Sequence, residues 1–310
     1  MTHGAIVAVG VLPDPLAAEL DARGGCRVPV SLDVPENLDR AAVRVIVASG
    51  SQILPTSWLD RFPNLAAIAV HGVGTDGIDR AAMDRRRVVV HTTPEALIGD
   101  VAEHAIGLLL ALLRHIPAND RLVRSGAWRK ETPPALGTRL AGRAIGFLGL
   151  GRIGQAIAGR LQSWDAEIHY SARNRRTDVP FRYHETAMEL LAAVDTAFIT
   201  VPGGIETTAL VGARELAALG RNGVLINVAR GSVVDPDALF QALNSGSILG
   251  AGLDVFDEEP AGALRFAPLA NVILQPHQGS ATIEAREAMK RSVLAAVRAH
   301  LVTADGGQAH

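Results

Sequence analysis

Three separate stretches in the second half of the chain each place polar groups at or just beyond the end of an apolar run. They are Arg230 in "GVLINVARGSVVD", Asp254 and Glu259 in "AGLDVFDEEP", and His277 in "NVILQPHQGSAT". Short β-branched runs bounded by turns are strands, and in open α/β sheets ligands gather at the carboxyl ends of strands. The three stretches can therefore converge on one ligand. A guanidinium clamps a carboxylate through two parallel hydrogen bonds, an imidazole exchanges a proton near neutral pH, and a carboxylate orients and charges the imidazole. By residue type alone either acid suits that last task. The chain has no H-E-x-x-H or C-x-x-C spacing and no G-x-S-x-G elbow, which argues against metal and serine-nucleophile chemistry. The other histidines, His91, His104 and His115 among them, are assigned structural or surface roles.

A second feature supplies what such a trio needs. In "AIGFLGLGRIGQAIAGRL", Gly149, Gly151 and Gly154 form a G-x-G-x-x-G triplet. In a chain with 31 glycines the triplet alone is weak. Its context strengthens it, because an apolar strand leads in and a helix with Ile157, Ala158 and Leu161 on one face leads out. Gly149 permits the tight turn, Gly151 the approach of a pyrophosphate, and Gly154 close helix packing, with phosphate at the helix N-terminus. With a nicotinamide there, the Arg, carboxylate and His make an oxidoreductase for 2-oxo or 2-hydroxy acids. About 20 residues beyond the first glycine, where an acid commonly binds the adenosine ribose, the sequence reads "YSARNRR". Ala172 takes the place of the acid, and Arg173, Asn174, Arg175 and Arg176 follow. Loss of the carboxylate removes repulsion of a 2'-phosphate, and a guanidinium supplies a charge-assisted partner. Arg173 is the first choice for that contact, with Arg175 or Arg176 assisting.

These groups need a scaffold. Strand-like runs "AIVAVG", "RVPVSL", "VRVIVAS", "LAAIAVHG" and "VVVHT" alternate with helical patterns. A second series follows: "AIGFLGL", "EIHY", "TAFITV", "GVLINV", "AGLDV" and "NVILQP". Such alternation predicts βαβ units and parallel sheets. The expected fold is α/β, with two flavodoxin-like or Rossmann-like domains. Residues 1–97 and 283–310 form a discontinuous substrate-binding domain and residues 98–282 the dinucleotide-binding domain. Val101, Ala105, Leu108, Leu109 and Leu112 recur at helical steps, predicting one long helix over 94–117 that crosses between the domains. Met289, Val293, Val297 and Leu301 mark a last helix packing back on the first domain, and the tail "TADGGQAH" reads as loose.

A length of 310 residues and 48% hydrophobic content suit two globular domains. The net charge of -2 gives no basic surplus for nucleic acid or anionic lipid, and "AIGLLLALL" is too short to span a bilayer. Neither kind of partner is expected. The lone Cys26 and the absence of a leader-like start point to the cytoplasm.

"GLGRIG", "INVARGSVVD", "GAGLDVFDEEP" and "QPHQGSAT" together resemble the signature segments of the D-isomer-specific 2-hydroxyacid dehydrogenases. More narrowly they are similar to the NADPH-dependent glyoxylate/hydroxypyruvate reductase branch, which includes hydroxyphenylpyruvate-reductase-like enzymes. "VHGVGTDGID", "DVAEHAIGLLLALLR" and "DRLVRSGAWRK" fit as well. The resemblance implies Arg230 as the group that binds carboxylate and polarises the carbonyl, His277 as acid/base and Glu259 as its partner. It implies substrate-carboxylate contacts from the amides of Val73 and Gly74. Cofactor contacts are implied from Gly149, Leu150, Gly151, Arg152, Ile153, Gly154, Ala172, Arg173 and Asn174. Further along they come from Pro202, Thr207, Val228, Ala229, Arg230, Asp254, His277 and Gly279. NADP(H) is the preferred cofactor and NAD(H) an alternative. A homodimer is implied, with about 119–142 as an exchanged arm.

The chain departs from the family pattern at His71, at Ile98-Gly99 and in "PGGIETT", which bears on the substrate more than on the reaction. Glyoxylate and hydroxypyruvate lead as substrates, ahead of larger aromatic 2-oxo acids. One rival, a formate-dehydrogenase-like enzyme, needs no carboxylate beside the histidine. The other is an NAD(P)-sensing corepressor-like binding module on the same fold, which can retain all three residues.

Overall fold

Pairs of β-branched strands joined by helices set the architecture, which a computed structural model describes for residues 5–302. The chain divides into two units, Met1–Leu97 with Thr282–His310, and Ile98–Ala281. In the first, β1 (Ile6–Val9), α1 (Asp14–Ala22), β2 (Cys26–Val28), β3 (Val45–Ser49), α2 (Thr56–Leu59), β4 (Ala67–His71), α3 (Arg80–Arg86) and β5 (Val89–His91) follow in order. The strands pair in parallel in the order β2-β1-β3-β4-β5, the flavodoxin-like arrangement. Alternate residues feed two cores. Ile6, Ala8, Val45, Val47 and Ala69 meet Leu16 and Leu20 on one face, while Val7, Ile46, Ile68 and Val70 meet Leu59 and Met83 on the other. Covering both faces explains why these strands read as continuous apolar runs.

The second unit contains α4 (Ile98–Leu113), α5 (Ile116–Arg124), β6 (Ala144–Leu148), α6 (Arg152–Leu161), β7 (Glu167–Ser171), β8 (Arg182–His184), α7 (Ala187–Ala193) and β9 (Thr196–Ile199). It continues with α8 (Ala213–Leu219), β10 (Val224–Asn227), α9 (Pro236–Ser245), β11 (Gly250–Leu253) and β12 (Val272–Leu274). Its seven-stranded parallel sheet runs β12-β11-β10-β9-β6-β7-β8. The chain steps outward from β6 through β7 to β8, then returns to β9 and builds outward the other way. That reversal opens a crevice at the carboxyl ends of β6 and β9, the usual dinucleotide position.

The helix expected over residues 94–117 forms only over Ile98–Leu113, with the predicted stripe buried, and does not itself cross between the units. Pro94–Ala96 make a short 3-10 turn, α4 begins at Ile98, and His115 takes a left-handed φ of 53° before α5 starts. Pro117 accounts for the second break, since within a continuous helix its ring would clash with the carbonyl of Leu113. In the first turn of α5 it is tolerated. Helix α4 lies wholly in the second unit, so the chain passes between units ahead of it. Strand β8, Arg-Tyr-His at the sheet edge, has no counterpart among the expected strands.

Helix α4 packs unusually close to β11. A Cβ on Gly250 would come within 3.1 Å of Leu112, and one on Gly252 within 3.1 Å of Leu108. Two glycines on one face of the strand therefore meet two leucines one helical turn apart. Continuing both registers by one step brings His104 to Asp254.

The last helix, α10 (Ile283–Val302), sends Val293 and Val297 of the predicted stripe, and Leu294 beside them, into the core of the first unit with Ile6, Val45 and Ala69. The tail "TADGGQAH" lies outside the described residues. Among those described, no single helix is long and apolar enough to cross a membrane.

Candidate active site

The glycine turn follows β6. Gly149 has a φ of 86°, and a Cβ there would stand 2.8 Å from Val201. At Gly154 a Cβ would stand 2.7 Å from the Gly149 carbonyl, so only glycine lets α6 press against the turn. Around Gly151 the reverse holds: an added Cβ would meet nothing within 4 Å. Open space thus lies over the start of a ten-residue helix whose first turn carries Arg152 and Ile153, with Leu150 buried beneath. The amides at the helix N-terminus and the positive end of the helix dipole suit a pyrophosphate there, so the residues present fit a dinucleotide.

Ala172 directly follows β7, and two tyrosines fix the loop it opens. The Tyr170 hydroxyl accepts the Arg176 amide at 2.8 Å and donates to the Arg176 carbonyl at 3.2 Å. The Tyr183 hydroxyl donates to the Ala172 carbonyl at 3.2 Å. Arg173, 82% exposed, reaches Glu206 at 3.1 Å, whereas Arg176 turns back to Asp178. Asn174 and Arg175 are exposed. Across from this loop, the Thr207 hydroxyl donates to the Pro202 carbonyl at 2.8 Å and holds the segment after β9 in a tight turn.

Beyond β10, Val228, Ala229 and Arg230 are braced by Asn227, a residue the sequence reading did not single out. Its buried side chain accepts the Ala229 amide at 3.0 Å and donates to the Arg230 carbonyl at 2.9 Å. A Cβ on Gly231 would overlap the Phe256 carbonyl carbon at 1.9 Å, so the Arg230 loop lies directly against the acidic loop. The Arg230 guanidinium also donates to the Ala229 carbonyl at 2.7 Å.

The two acids then divide their work. Glu259 accepts His277 Nδ1 at 2.9 Å through Oε2 and the Phe256 amide at 3.0 Å through Oε1. Asp254 is 2% exposed and binds backbone instead: it accepts the amides of Gln278 at 2.7 Å and Gly279 at 2.8 Å, while its carbonyl accepts the His277 amide at 2.9 Å. His277 sits in the left-handed region at φ 56°, a conformation a non-glycine residue holds only when its surroundings enforce it. The hydrogen bond to Glu259 raises the His277 pKa; burial opposes this, the charges of Glu259 and Asp254 add to it, and Arg230 lowers it. The net shift is upward. Burial pushes the Glu259 carboxyl up, but hydrogen bonds from His277 and the Phe256 amide outweigh it and leave the group below its usual value. His104, assigned a structural role from sequence, meets Asp254 Oδ1 at 3.1 Å.

Val73 and Gly74 belong to the other unit, in the loop after β4. Val73 is exposed and Gly74 buried. His71, at the end of β4, is 5% exposed and lies on the α10 side of the sheet near Arg286.

A glycine turn that fits a pyrophosphate at the topological reversal, with a carboxylate-paired imidazole at the end of a strand of the same sheet, is the arrangement of a dinucleotide-dependent dehydrogenase. The chain belongs to the D-isomer specific 2-hydroxyacid dehydrogenases, whose NAD binding domain matches residues 106–279. It is 39% identical over 261 residues to a glyoxylate/hydroxypyruvate reductase of Arabidopsis thaliana, covering 84% of this chain and 83% of that one. It is 40% identical to a 2-ketogluconate reductase of Gluconobacter oxydans, covering 84% of each. A crystal structure of an NADPH-dependent glyoxylate/hydroxypyruvate reductase from Sinorhizobium meliloti, with NADP and malonate, superposes with a TM-score of 0.87. It has 40% identity, covering 96% of this chain and 93% of that one.

Proposed function

We propose that the protein reduces a small 2-oxo acid, glyoxylate or hydroxypyruvate first, to the D-2-hydroxy acid with NADPH in preference to NADH. The dihydronicotinamide, when bound, supplies the hydride that C2 receives. His277, charged and oriented by Glu259, gives its Nε2 proton to the carbonyl oxygen. Arg230 holds the substrate carboxylate and stabilises the charge developing on that oxygen. Gly149–Gly154 hold the pyrophosphate, Arg173 the 2'-phosphate, Asp254 and Val228–Arg230 the nicotinamide amide, and Pro202, Thr207 and Gly279 make further contacts with the cofactor. The amides of Val73 and Gly74 are the family's carboxylate donors and are carried over as such. The observation that carries the reading is the 2.9 Å contact of His277 with Glu259, beside the loop that bears Arg230. A panel of 2-oxo acids, glyoxylate to aromatic, assayed against NADPH and NADH tests it. Turnover confined to NADH, or to aromatic acids, would overturn the corresponding half.

The protein is further proposed to be a cytoplasmic homodimer with about 119–142 as the exchanged arm. Val123, Trp128 and Leu136 are exposed along that segment, and Leu136 also lines an apolar groove with Leu112, Pro117, Leu269 and Ile273. Light scattering on the purified protein tests this: a monomer at micromolar concentration contradicts it.

A further inference from the structure

The geometry points to His104 as a positioning residue for His277, acting through Asp254. The inference rests on His277 being the proton donor. His104 is one turn from Leu108 and two from Leu112 on the face of α4 that Gly252 and Gly250 admit against β11. That register delivers its Nε2 to Asp254 Oδ1 at 3.1 Å, while the same oxygen accepts the Gln278 amide at 2.7 Å and Oδ2 accepts the Gly279 amide at 2.8 Å. The two amides belong to the residues that follow His277, and the His277 amide itself bonds the Asp254 carbonyl at 2.9 Å. Asp254 is thus a clasp on the strained loop, and His104 is the side-chain donor that fixes the carboxylate plane across it. Without that donor, a nearly inaccessible carboxylate loses one of three hydrogen bonds and is free to rotate away from the amides.

The same contact has an electrostatic consequence. The charged groups acting on His277 are Glu259, Asp254 and Arg230. Those near His104 are Asp254 across the helix–strand contact and, on α4 itself, Asp100 and Glu103, the latter paired with Arg160 at 3.4 Å. An N–H bonded to Asp254 draws charge off that carboxylate and weakens its pull on the His277 proton. Removing the donor should therefore raise the His277 pKa further, which a purely structural loss of packing would not do.

The test compares H104F, which keeps a ring but no N–H, with H104Q, whose amide can still donate. Imidazole NMR titration of the free protein, with the His277 signal assigned by its loss in H277Q, reads the pKa without turnover. Expected are an upward shift and a kcat about tenfold lower in H104F, with both returned towards wild type in H104Q. An unmoved or downward His277 pKa in H104F, or an H104Q as impaired as H104F, overturns the inference. If H104F does not fold, H104L is read in its place by the same criteria. If H277Q keeps its turnover, the reading of His277 as donor fails instead, whatever the titration of His104 variants gives.

Discussion

Glu259 Oε2 stands 2.9 Å from His277 Nδ1, and its other oxygen is held by the Phe256 amide at 3.0 Å. The carboxylate is therefore fixed from both sides, which leaves the imidazole Nε2 as the ring nitrogen not engaged by Glu259 and the one proposed to exchange a proton.

With His277 as the proposed donor, reduction consumes the protonated imidazole, and its rate should fall as pH rises through the His277 pKa. Glu259 is the largest cause of that raised pKa. In E259Q the neutral amide stabilises imidazolium less, so the falling limb of kcat against pH should move to lower pH. A full pH profile of both proteins checks this; an unmoved limb would show that Glu259 does not set the His277 pKa.

Arg173 is the proposed determinant of cofactor choice. R173A should raise KM for NADPH at least tenfold, worth about 1.4 kcal/mol, and change KM for NADH little. Glu206 competes for the same guanidinium in the free protein, so E206Q should lower KM for NADPH. Steady-state kinetics with both cofactors decides the matter, and equal losses with both in R173A would reduce "YSARNRR" to a surface loop.

The strands and the carboxyl-end position of each polar group were legible because parallel strands covered on both faces read as unbroken apolar runs. Strand β8 was not, since three residues at a sheet edge carry no such run. The break at His115 follows from Pro117, but the apolar stripe ends at Leu112, just short of it, so the periodicity does not mark it. Helical spacing places His104 on the buried stripe with Leu108 and Leu112, yet says nothing of what lies across the helix. The signal that could have found it is the pairing of that stripe with Gly250, Gly252 and Asp254 at strand spacing. Asn227 likewise looks like one more strand residue until its side chain is seen bridging the Arg230 loop.

His71 predicts an acid-sensitive fold. Burial, then the nearby Arg286, lower its pKa from 6.5 to about 4, so the unfolded chain binds the extra proton between those values. Its contribution is present above pH 6.5 and lost as pH falls through about 4, a difference of about 3 kcal/mol. H71F should lose less of its thermal stability over that range than wild type does. Equal losses, measured by calorimetry at each pH, would show that His71 is already charged or solvated.

His277 is the proposed proton donor in an NADPH-dependent reduction. The most direct measurement is kcat for glyoxylate with NADPH in wild type and in H277Q, alongside NADPH binding to each. Wild type should turn over, and H277Q should fall by about 10²- to 10⁴-fold with near-normal NADPH binding. A wild-type protein that binds NADPH but does not turn over any 2-oxo acid, or an H277Q that keeps most of its rate, would contradict it.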